Sequence, residues 1–487
     1  MRRIACLLLA TISLLSAATR GVSAETRPRY GGMLRVMLQS SPSVLDLSSN
    51  ATPSEYWDMA RTLLLIGDTL VRIDAQGRAQ PALAVAWQSE ASARRYQFTL
   101  RRGVKFHDGS AASPEAVAQI LGALHSNWIV RASADAVTIE SAAPMPSLLA
   151  ELALPRNLLM RRNAKGIPIG TGPFLVADWQ PQQLLKLAAN EESWEGRPFV
   201  DVVEIEFGRA LHDQAIALEL GKADVTEEPL QTANGSQAHN TWSSSSLSLP
   251  VELLAVVFSA NSRANDPRLR EALALAIDRK PIQSVLLKGA GEPAAGILPN
   301  WMTGYTAVFS TTANPQEARA LLAESRQSAP NLPYDISYDP RDPQAQLIAE
   351  RIALNAREVG ITVQVSLSGA EDVRLVRAVL PSPDPRTSLS EAARQLGLPQ
   401  PAFSAAASDS NALEDLYQAE RELLEEHAVI PLFHLPVATA IGVRVREWAP
   451  ERRGQWSWSR LSLADSWLAE QRSTAPRVDL PAQAGSR

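Results

Sequence analysis

The most specific stretch of the chain lies at residues 96–109 and reads Tyr96-Gln97-Phe98-Thr99-Leu100-Arg101-Arg102-Gly103-Val104-Lys105-Phe106-His107-Asp108-Gly109. Its first part places an apolar residue at every second position, which is the period of a half-buried β-strand. It ends in an adjacent histidine and aspartate, residue types that serve in catalytic pairs and metal sites. The other histidines show no matching close spacing, so we interpret His107 as a structural turn residue. These other histidines are His125, His212, His239, His427 and His434.

Before this stretch, the chain predicts short strands, turns and a helix. Met33 to Leu38 is a β-like run, and the loop that follows at 39–49 is rich in Ser and Pro. Residues 59–75 carry apolar positions at helical spacing. The run Asp74-Ala75-Gln76-Gly77 then predicts a turn of the kind that joins paired strands.

The second half of the chain predicts helices that lead into strands. Asp266-Pro267 indicates a helix start, because the carboxylate caps free N–H groups and proline is tolerated at the first helical position. A second helix begins near Asp342-Pro343 and stops at Gly360, before a strand at 361–365. A third helix runs from Asn411 into an apolar strand at 429–433. The apolar positions expected on the helix faces are Leu269, Leu273, Ala276, Ile277, Ile348, Ile352, Val359, Leu413, Leu416, Tyr417, Leu423 and Leu424.

The first 24 residues predict a cleavable secretory signal peptide. Arg2 and Arg3 supply the charged start, an apolar run continues to Leu15, and 22–24 form a small-residue cleavage site. The apolar run is too short to span a bilayer as a stable helix. The single cysteine, Cys6, lies inside this segment, so the mature protein would contain no thiol. We therefore expect a soluble periplasmic product.

Length and charge narrow the class of protein. The chain has 487 residues, 45% of them hydrophobic, which is enough for more than one hydrophobic core. Removal of residues 1–24 takes away three arginines and no acid, so the formal net charge of −5 becomes about −8. Such a surface does not favour nucleic acid or anionic lipid as a partner.

Several segments, in order along the chain, resemble the family 5 extracellular solute-binding proteins, the dipeptide, oligopeptide and nickel group of ABC importer subunits. The stretch at 96–109 is the most specific of them. The other segments are Tyr30 to Val36, Val44 to Asp46, Pro81 to Ala84 with Trp87, Gly170 to Phe174 with Trp179, Trp194 to Asp201, Asp266 to Arg279, and Glu425 to Phe433. Together they span most of the chain from residue 30 to about residue 450.

The resemblance implies an α/β fold: the bilobed type II periplasmic-binding-protein fold with an extra small α/β domain. A ligand would be enclosed between two lobes that close by a hinge. We predict a signal peptide at 1–24, a discontinuous first lobe at 25–58, 167–247 and 440–471, the extra domain at 59–166, the second lobe at 248–439, and a disordered tail at 472–487.

Candidates for the ligand cleft come from the resemblance and from the residues themselves. They are Leu45, Asp46, Gly170, Thr171, Gly172, Trp301, Arg374 and Asp384. The turn at 170–172 could approach the ligand or be purely structural. Arg374 and Arg377 could pair with a ligand carboxylate or lie on a solvated helix face.

The resemblance raises a specific question about the ligand. Peptide binders of the family hold the ligand's ammonium group with an aspartate a few residues before an Asp-Pro pair, because a buried cation needs a counter-charge. Asp384-Pro385 matches that pair, but the aspartate position falls on Pro381. Either Asp384 takes over, or the ligand lacks a free amine. A peptide-like solute is favoured, and a sugar, an acidic solute or a metal chelate stays open.

The sequence offers no residues for an enzyme. It has no nucleophile elbow, and the glycines at 170–172 and 289–296 lack the spacing of phosphate or dinucleotide loops. We therefore expect no catalytic residue, metal site or cofactor. The resemblance implies a monomer that works with an inner-membrane ABC permease. A ligand sensor or a periplasmic chaperone on the same fold is the alternative.

Overall fold

The computed structural model describes residues 30–47, 52–74, 76–235, 243–259, 262–305, 310–325, 333–342, 344–367, 372–403, 412–446, 449–450, 456–457 and 462–463. The predicted signal peptide at 1–24 and the predicted tail at 472–487 lie outside these ranges.

The strands are short except for two. They are β1 Met33–Met37, β2 Val71–Ile73, β3 Ala79–Pro81, β4 Ala84–Ser89, β5 Arg95–Leu100, β6 Ile129–Ala132, β7 Ala136–Glu140, β8 Arg161–Arg162, β9 Pro168–Ile169, β10 Phe174–Gln180, β11 Leu184–Ala189, β12 Val202–Glu206, β13 Val225–Glu227, β14 Ser243–Phe258, β15 Glu292–Pro293, β16 Tyr334–Tyr338, β17 Val363–Val365, β18 Val373–Val379, β19 Val429–Gly442, β20 Val445–Arg446, β21 Ala449–Pro450, β22 Trp456–Ser457 and β23 Ser462–Leu463.

The helices lie mostly in the second half of the chain. They are α1 Pro53–Ile66, α2 Pro114–Leu124, α3 Leu148–Leu152, α4 Leu211–Glu219, α5 Leu230–Gly235, α6 Pro267–Ala276, α7 Arg279–Pro281, α8 Asn300–Thr303, α9 Pro315–Ser325, α10 Ala345–Val359, α11 Pro385–Leu396 and α12 Ala412–Leu424, with a 3₁₀ turn at Pro155–Asn157 and a π-helical turn at Ile282–Leu286. Within the described ranges, no helix combines the length and apolar character needed to cross a bilayer.

The largest sheet among the described residues contains eleven strands. Its order is β10-β11-β12-β1-β13-β19-β14-β18-β16-β17, with β15 beside β19. Strand β1 is parallel to β12 and β13, and β16 is parallel to β17 and β18, whereas the other pairs are antiparallel. The sheet therefore has two mixed halves joined through β19 and β14.

The two long strands β14 and β19 connect these halves. They run antiparallel to each other, while β13 joins one end of β19 and β18 joins the opposite end of β14. The register shifts around Pro250, which faces Pro436. Proline has no N–H to donate, so the ladder weakens at this point.

Each half has its own hydrophobic core. In the first half, α1 packs on β1, β10 and β12 through residues such as Leu63, Phe174 and Ile205. In the second half, α6 and α10 cover one face of the sheet, and α11 and α12 contribute to a separate cluster that includes Leu253 and Ala255 of β14. Burial of these apolar side chains fixes the helices against the sheet.

A separate four-stranded sheet contains residues 96–100, the first part of the stretch at 96–109. Its order is β4-β5-β7-β6, and every neighbouring pair is antiparallel. Tyr96, Phe98 and Leu100 of β5 are buried in one cluster with Val117 and Leu121 of α2, so the predicted half-buried strand is confirmed. The domain boundaries proposed from the sequence stay a prediction.

The helix signals in the second half of the sequence are confirmed, with one exception. Asp266 caps α6 by accepting from Arg268 N at 3.0 Å. Helix α10 ends at Gly360, whose φ of 96° is left-handed. In α12, however, Leu413 is 53% exposed, although Leu416, Leu423 and Leu424 are buried. The buried face of α12 thus begins at Leu416, about one helical turn after the predicted Leu413.

Candidate functional site

A cavity of about 880 Å³ lies where the two halves of the large sheet meet. The residues that follow β1, β13 and β16 line it, so the carboxyl ends of these strands open onto the cavity. Ligands of open α/β sheets bind at such strand ends, and the volume is typical of small-molecule sites. Its wall also includes β14, β18 and β19, so both halves of the sheet contribute.

Helix α1 forms the wall on the first half. A capping box fixes its start: Thr52 Oγ1 accepts from Glu55 N at 3.4 Å, and Glu55 Oε2 accepts from Thr52 N at 2.9 Å. One turn later, the cavity-lining Trp57, Asp58 and Arg61 are all at most 3% exposed. Arg61 Nη1 lies 3.7 Å from Asp58 Oδ1, which is beyond hydrogen-bond range.

Two carboxylates lie at the end of β13 along the same wall. Glu227 accepts hydrogen bonds from Gln39 N and from Gln214 Nε2, the latter at 3.0 Å, so its position is fixed. Glu228 is half-buried, and burial raises the pKa of its carboxyl group. This end of the cavity therefore concentrates negative charge.

The second half contributes a chain of ion pairs. Glu252 on β14 is 6% exposed, and burial raises the pKa of its carboxyl group. Arg377 on β18 lies between two acids: its Nη1 is 3.4 Å from Glu252 Oε2, and its Nε is 2.8 Å from Asp342 Oδ2. Arg377 is thereby committed to neighbouring carboxylates.

One ion pair joins the two walls. Arg341, which follows β16, places Nη1 2.7 Å from Glu55 Oε1 on α1. Its Nε also lies 3.0 Å from Asp339 Oδ1. Since the two walls belong to different halves of the sheet, this pair holds them in the present spacing.

Arg374 is the sequence candidate that the structure places in the described cavity wall. It lies on strand β18, not on a helix, so the alternative of a solvated helix face is wrong for Arg374 and Arg377. Within the described part of the chain, no hydrogen bond or ion pair engages the Arg374 guanidinium, whereas Arg377 is paired. Arg374 is therefore available to an anion in the cavity.

Leu45 and Asp46 lie away from the described cavity wall. Leu45 is buried in the core of the first half, at 2% exposure. Asp46 is exposed and forms a 3.0 Å ion pair with Arg162, whose Nη2 also donates to Leu45 O at 2.8 Å. This loop is held by Arg162.

The turn at 170–172 packs against the end of α1. A Cβ on Gly170 would lie 2.0 Å from Ile66 O, and one on Gly172 would lie 2.7 Å from Ile66 C. Thr171 is 1% exposed and donates to Asp68 Oδ2 at 3.0 Å. His107 Nε2 lies 3.0 Å from Gly172 O, so the turn also contacts the small sheet. Both glycines are explained by close backbone approach.

Trp301 and Asp384 have structural partners outside the described cavity wall. Trp301 Nε1 donates to Pro250 O at 2.8 Å, and its ring packs behind the cavity near Trp57. Asp384 Oδ1 accepts from Thr387 N at 2.8 Å and caps α11. The carboxylate of Asp384 is thus already engaged.

The acidic residues and histidines of the described part of the chain could hold a metal ion only if several of them were grouped together. Within them, no group of three or more His, Cys, Asp or Glu side chains is arranged to hold a metal ion. His434 is buried and lies 3.1 Å from Ile297 O. Burial lowers its pKa to about 4, so it is neutral at physiological pH.

The family model for bacterial extracellular solute-binding proteins, family 5 Middle, matches residues 78–382. The chain belongs to this family. The match covers well over half of the chain, including the stretch at 96–109, so the resemblance drawn from the sequence is confirmed.

Individual relatives of this family are distant in sequence. The nickel-binding periplasmic protein of Escherichia coli strain K12 is 27% identical over 353 residues, which is 63% of this chain and 66% of the relative. The dipeptide-binding protein of the same strain is 22% identical over 340 residues, 58% of this chain and 62% of the relative. The matches thus span just under two thirds of the length of these relatives.

Solved structures resemble the chain over more of its length. PBP AgaA of A. tumefaciens R10, in complex with agropinic acid, is 19% identical, has a TM-score of 0.76, and is matched over 89% of this chain and 99% of its own. A dipeptide-binding protein of Pseudoalteromonas sp. SM9913, in complex with Met-Leu, gives the same identity and TM-score, over 89% of this chain and all of its own. The expected type II periplasmic-binding-protein fold is confirmed.

Most of the residues that line the cavity were not among the candidates proposed from the sequence. Sequence signals existed: Glu227 ends the short strand β13 and Glu228 follows it, and Asp339 follows β16. Asp58 and Arg61 are charged residues one turn apart in a helix that continues into the apolar run Leu63–Ile66. Charges at strand ends, and charges inside an apolar face, would have pointed to these positions.

Proposed function

We propose that this chain is the solute-binding subunit of an ABC importer. It encloses a small, peptide-like solute between two lobes and delivers it to an inner-membrane permease. The observation that carries the proposal is the cavity of about 880 Å³ whose wall comes from both halves of the large sheet. The Glu55–Arg341 ion pair between the walls supports it, because such a contact forms only when the halves are close.

The solute's carboxylate, or another anionic group, binds Arg374 in this proposal. Arg374 supports the role because it lines the cavity and has no ionic partner among the described residues, whereas Arg377 is held by Glu252 and Asp342. A guanidinium offers a planar fork that matches a carboxylate. We expect Arg374→Ala to weaken the binding of an anionic solute and to leave the affinity for a neutral solute unchanged.

Free dipeptides are poor ligands in this proposal. Pro381 stands where peptide binders of the family have their ammonium-binding aspartate, and the carboxylate of Asp384 caps α11 instead of replacing it. Acetylated peptides and other solutes without that amine are the expected ligands.

The protein works in the periplasm after the signal at 1–24 is removed, and it changes no bond in its solute. Family membership supports this placement, since the family consists of extracellular solute-binding proteins. Neither a metal nor an organic cofactor is required, because the proposed binding groups are the protein's own side chains.

The test is a ligand screen followed by uptake. The full chain, expressed with its own leader, is screened by thermal shift against dipeptides, acetylated peptides, oligosaccharides and nickel chelates. A ligand at a hundred times its Kd adds about 2.7 kcal/mol to the free energy of unfolding. We expect a hit confined to one class and loss of uptake of that solute in a strain lacking the gene. Stabilisation without any effect on uptake would favour a sensor, and a folded protein that no class stabilises would contradict the proposal.

A further inference from the structure

Asp58 is a buried carboxyl group with Ser40 and Arg61 beside it, yet no donor among the described residues has good hydrogen-bond geometry to either of its side-chain oxygens. It is 1% exposed, lines the cavity, and neither of its side-chain oxygens accepts a hydrogen bond. Buried carboxyl groups in folded proteins are almost always hydrogen-bonded, because desolvating them is costly. Asp58 lies on the wall of a cavity, so a bound solute could provide the missing donor.

The charged neighbours of Asp58 act on it in opposite directions: Arg61 lowers the pKa of its carboxyl group and Glu227 raises it. Arg61, one turn along α1, is 3.7 Å away, and Glu227 from β13 is close enough to act electrostatically on both residues. Burial, followed by the charge of Glu227, raises the pKa of the Asp58 carboxyl well above its usual range. A cation placed beside Asp58 would reverse this shift and be bound in return.

The charge of the whole wall points in the same direction. Seven carboxylates and five arginines line the cavity. Four of these arginines are paired with acids: Arg61 with Asp58, Arg341 with Glu55, Arg377 with Asp342, and Arg394 with Glu391, which lies outside the cavity wall. Glu227 and Glu228 have no ion pair with an arginine among the described residues, so the formal excess of negative charge lies on the side of the cavity where Asp58 is.

Resting on the proposed solute-binding function, we propose that Asp58 is the anchor for a cationic group of the solute. The solute then carries a guanidinium or ammonium group at the end that reaches α1, separate from the amine that the family's aspartate would bind at the Pro381 position. Such a group donates several charge-assisted hydrogen bonds to one carboxylate. The ligand class is a small peptide-like solute with a basic side chain.

The decisive measurement compares solutes that differ only in charge. The probes are acetyl-Ala-Arg and acetyl-Ala-citrulline, which share size and carboxylate but carry a guanidinium and a neutral urea, and acetyl-Ala-Lys and acetyl-Ala-norleucine. Binding to the full chain is measured by calorimetry. We expect the cationic member of each pair to bind about 10- to 100-fold more tightly, which is the range for a charge-assisted hydrogen bond.

A variant pair assigns this preference to Asp58. Asp58→Asn keeps the shape of the side chain and removes its charge, so the preference for arginine over citrulline should fall to within about twofold of unity. Asp339→Asn, a matched change at a cavity carboxylate that is paired with Arg341, should keep the preference. The comparison of arginine with citrulline in the wild-type protein needs no variant. It therefore tests the preference for a cationic solute even if Asp58→Asn does not fold.

The outcomes separate this inference from the function on which it rests. Equal affinity for both members of a pair, or a preference that survives Asp58→Asn, overturns the anchor and leaves solute binding intact. Binding of acidic or neutral solutes with exclusion of the cationic probes has the same meaning. A folded wild-type protein that binds neither these probes nor any class in the wider screen overturns both.

Discussion

Gly170→Ala tests whether the turn at 170–172 is set by packing. The added Cβ would lie 2.0 Å from Ile66 O and 2.7 Å from Ile66 C, so the backbone has to move by more than an ångström. Ile66 O also accepts from Gly172 N at 2.9 Å, and that bond would be strained by the shift. Overpacking costs about 1–3 kcal/mol and a lost hydrogen bond about 1 kcal/mol, so we expect a loss of about 3 kcal/mol in the free energy of unfolding.

The assay is thermal unfolding of the full chain followed by circular dichroism, with Gly122→Ala as the matched control. Gly122 lies in α2, and a Cβ there would meet nothing within 4 Å. Alanine is the better helix former by about 0.5–1 kcal/mol, so this variant should gain stability. The same chemical change thus has opposite effects at the two sites. A Gly170→Ala protein as stable as the wild type would refute the packing argument. The alternative, that the turn approaches the ligand, would then be open again.

Three further outcomes follow from named contacts. Asp384→Ala removes the cap of α11 and should cost about 1 kcal/mol in unfolding free energy, while Asp384→Ser keeps the cap; an unchanged ligand affinity in both would separate capping from binding. Trp301→Phe loses the hydrogen bond to Pro250 O, so a fall of about 1 kcal/mol without an effect on the cavity is expected in denaturant titration. His434 is neutral when folded, with its pKa lowered from 6.5 to about 4, so stability should decline by about 3 kcal/mol as pH falls from 6.5 towards 4. His434→Gln should flatten that decline, and an identical pH profile in the variant would contradict the assignment.

Much of the fold could be predicted from local signals. The alternation at 96–100, the Asp266-Pro267 cap and Gly360 depend on steric and hydrogen-bonding preferences that act within a few residues, and all three predictions are confirmed. The strand at 373–379 was missed, because Arg374 and Arg377 are spaced three apart, which matches one face of a helix but places them on opposite faces of a strand. What distinguishes them is pairing with β14, a partner more than a hundred residues away in the chain.

The candidate site was much harder to predict. Its wall combines α1, the residues after β13 and β16, and β18, and no local pattern indicates that these segments meet. Arg374 was found because a cation is conspicuous in sequence, whereas Asp58 becomes informative only through its burial and missing donor. Asp384 was a ligand candidate because the Asp-Pro pair resembles the family's segment near the ligand, but aspartate before proline is also a helix-start signal, and Asp384 caps α11.

The pairing of β13 with β19 also constrains the order of folding during synthesis. Val225, Thr226 and Glu227 find their partners at 439–441, about 210 residues later in the chain. At the usual 5–20 residues per second, the ribosome needs about 10 s or longer to supply that partner. Until then the first half presents an open strand edge, which invites pairing with other chains. The nascent protein therefore passes through a period of at least about 10 s in which this unpaired edge is open to aggregation.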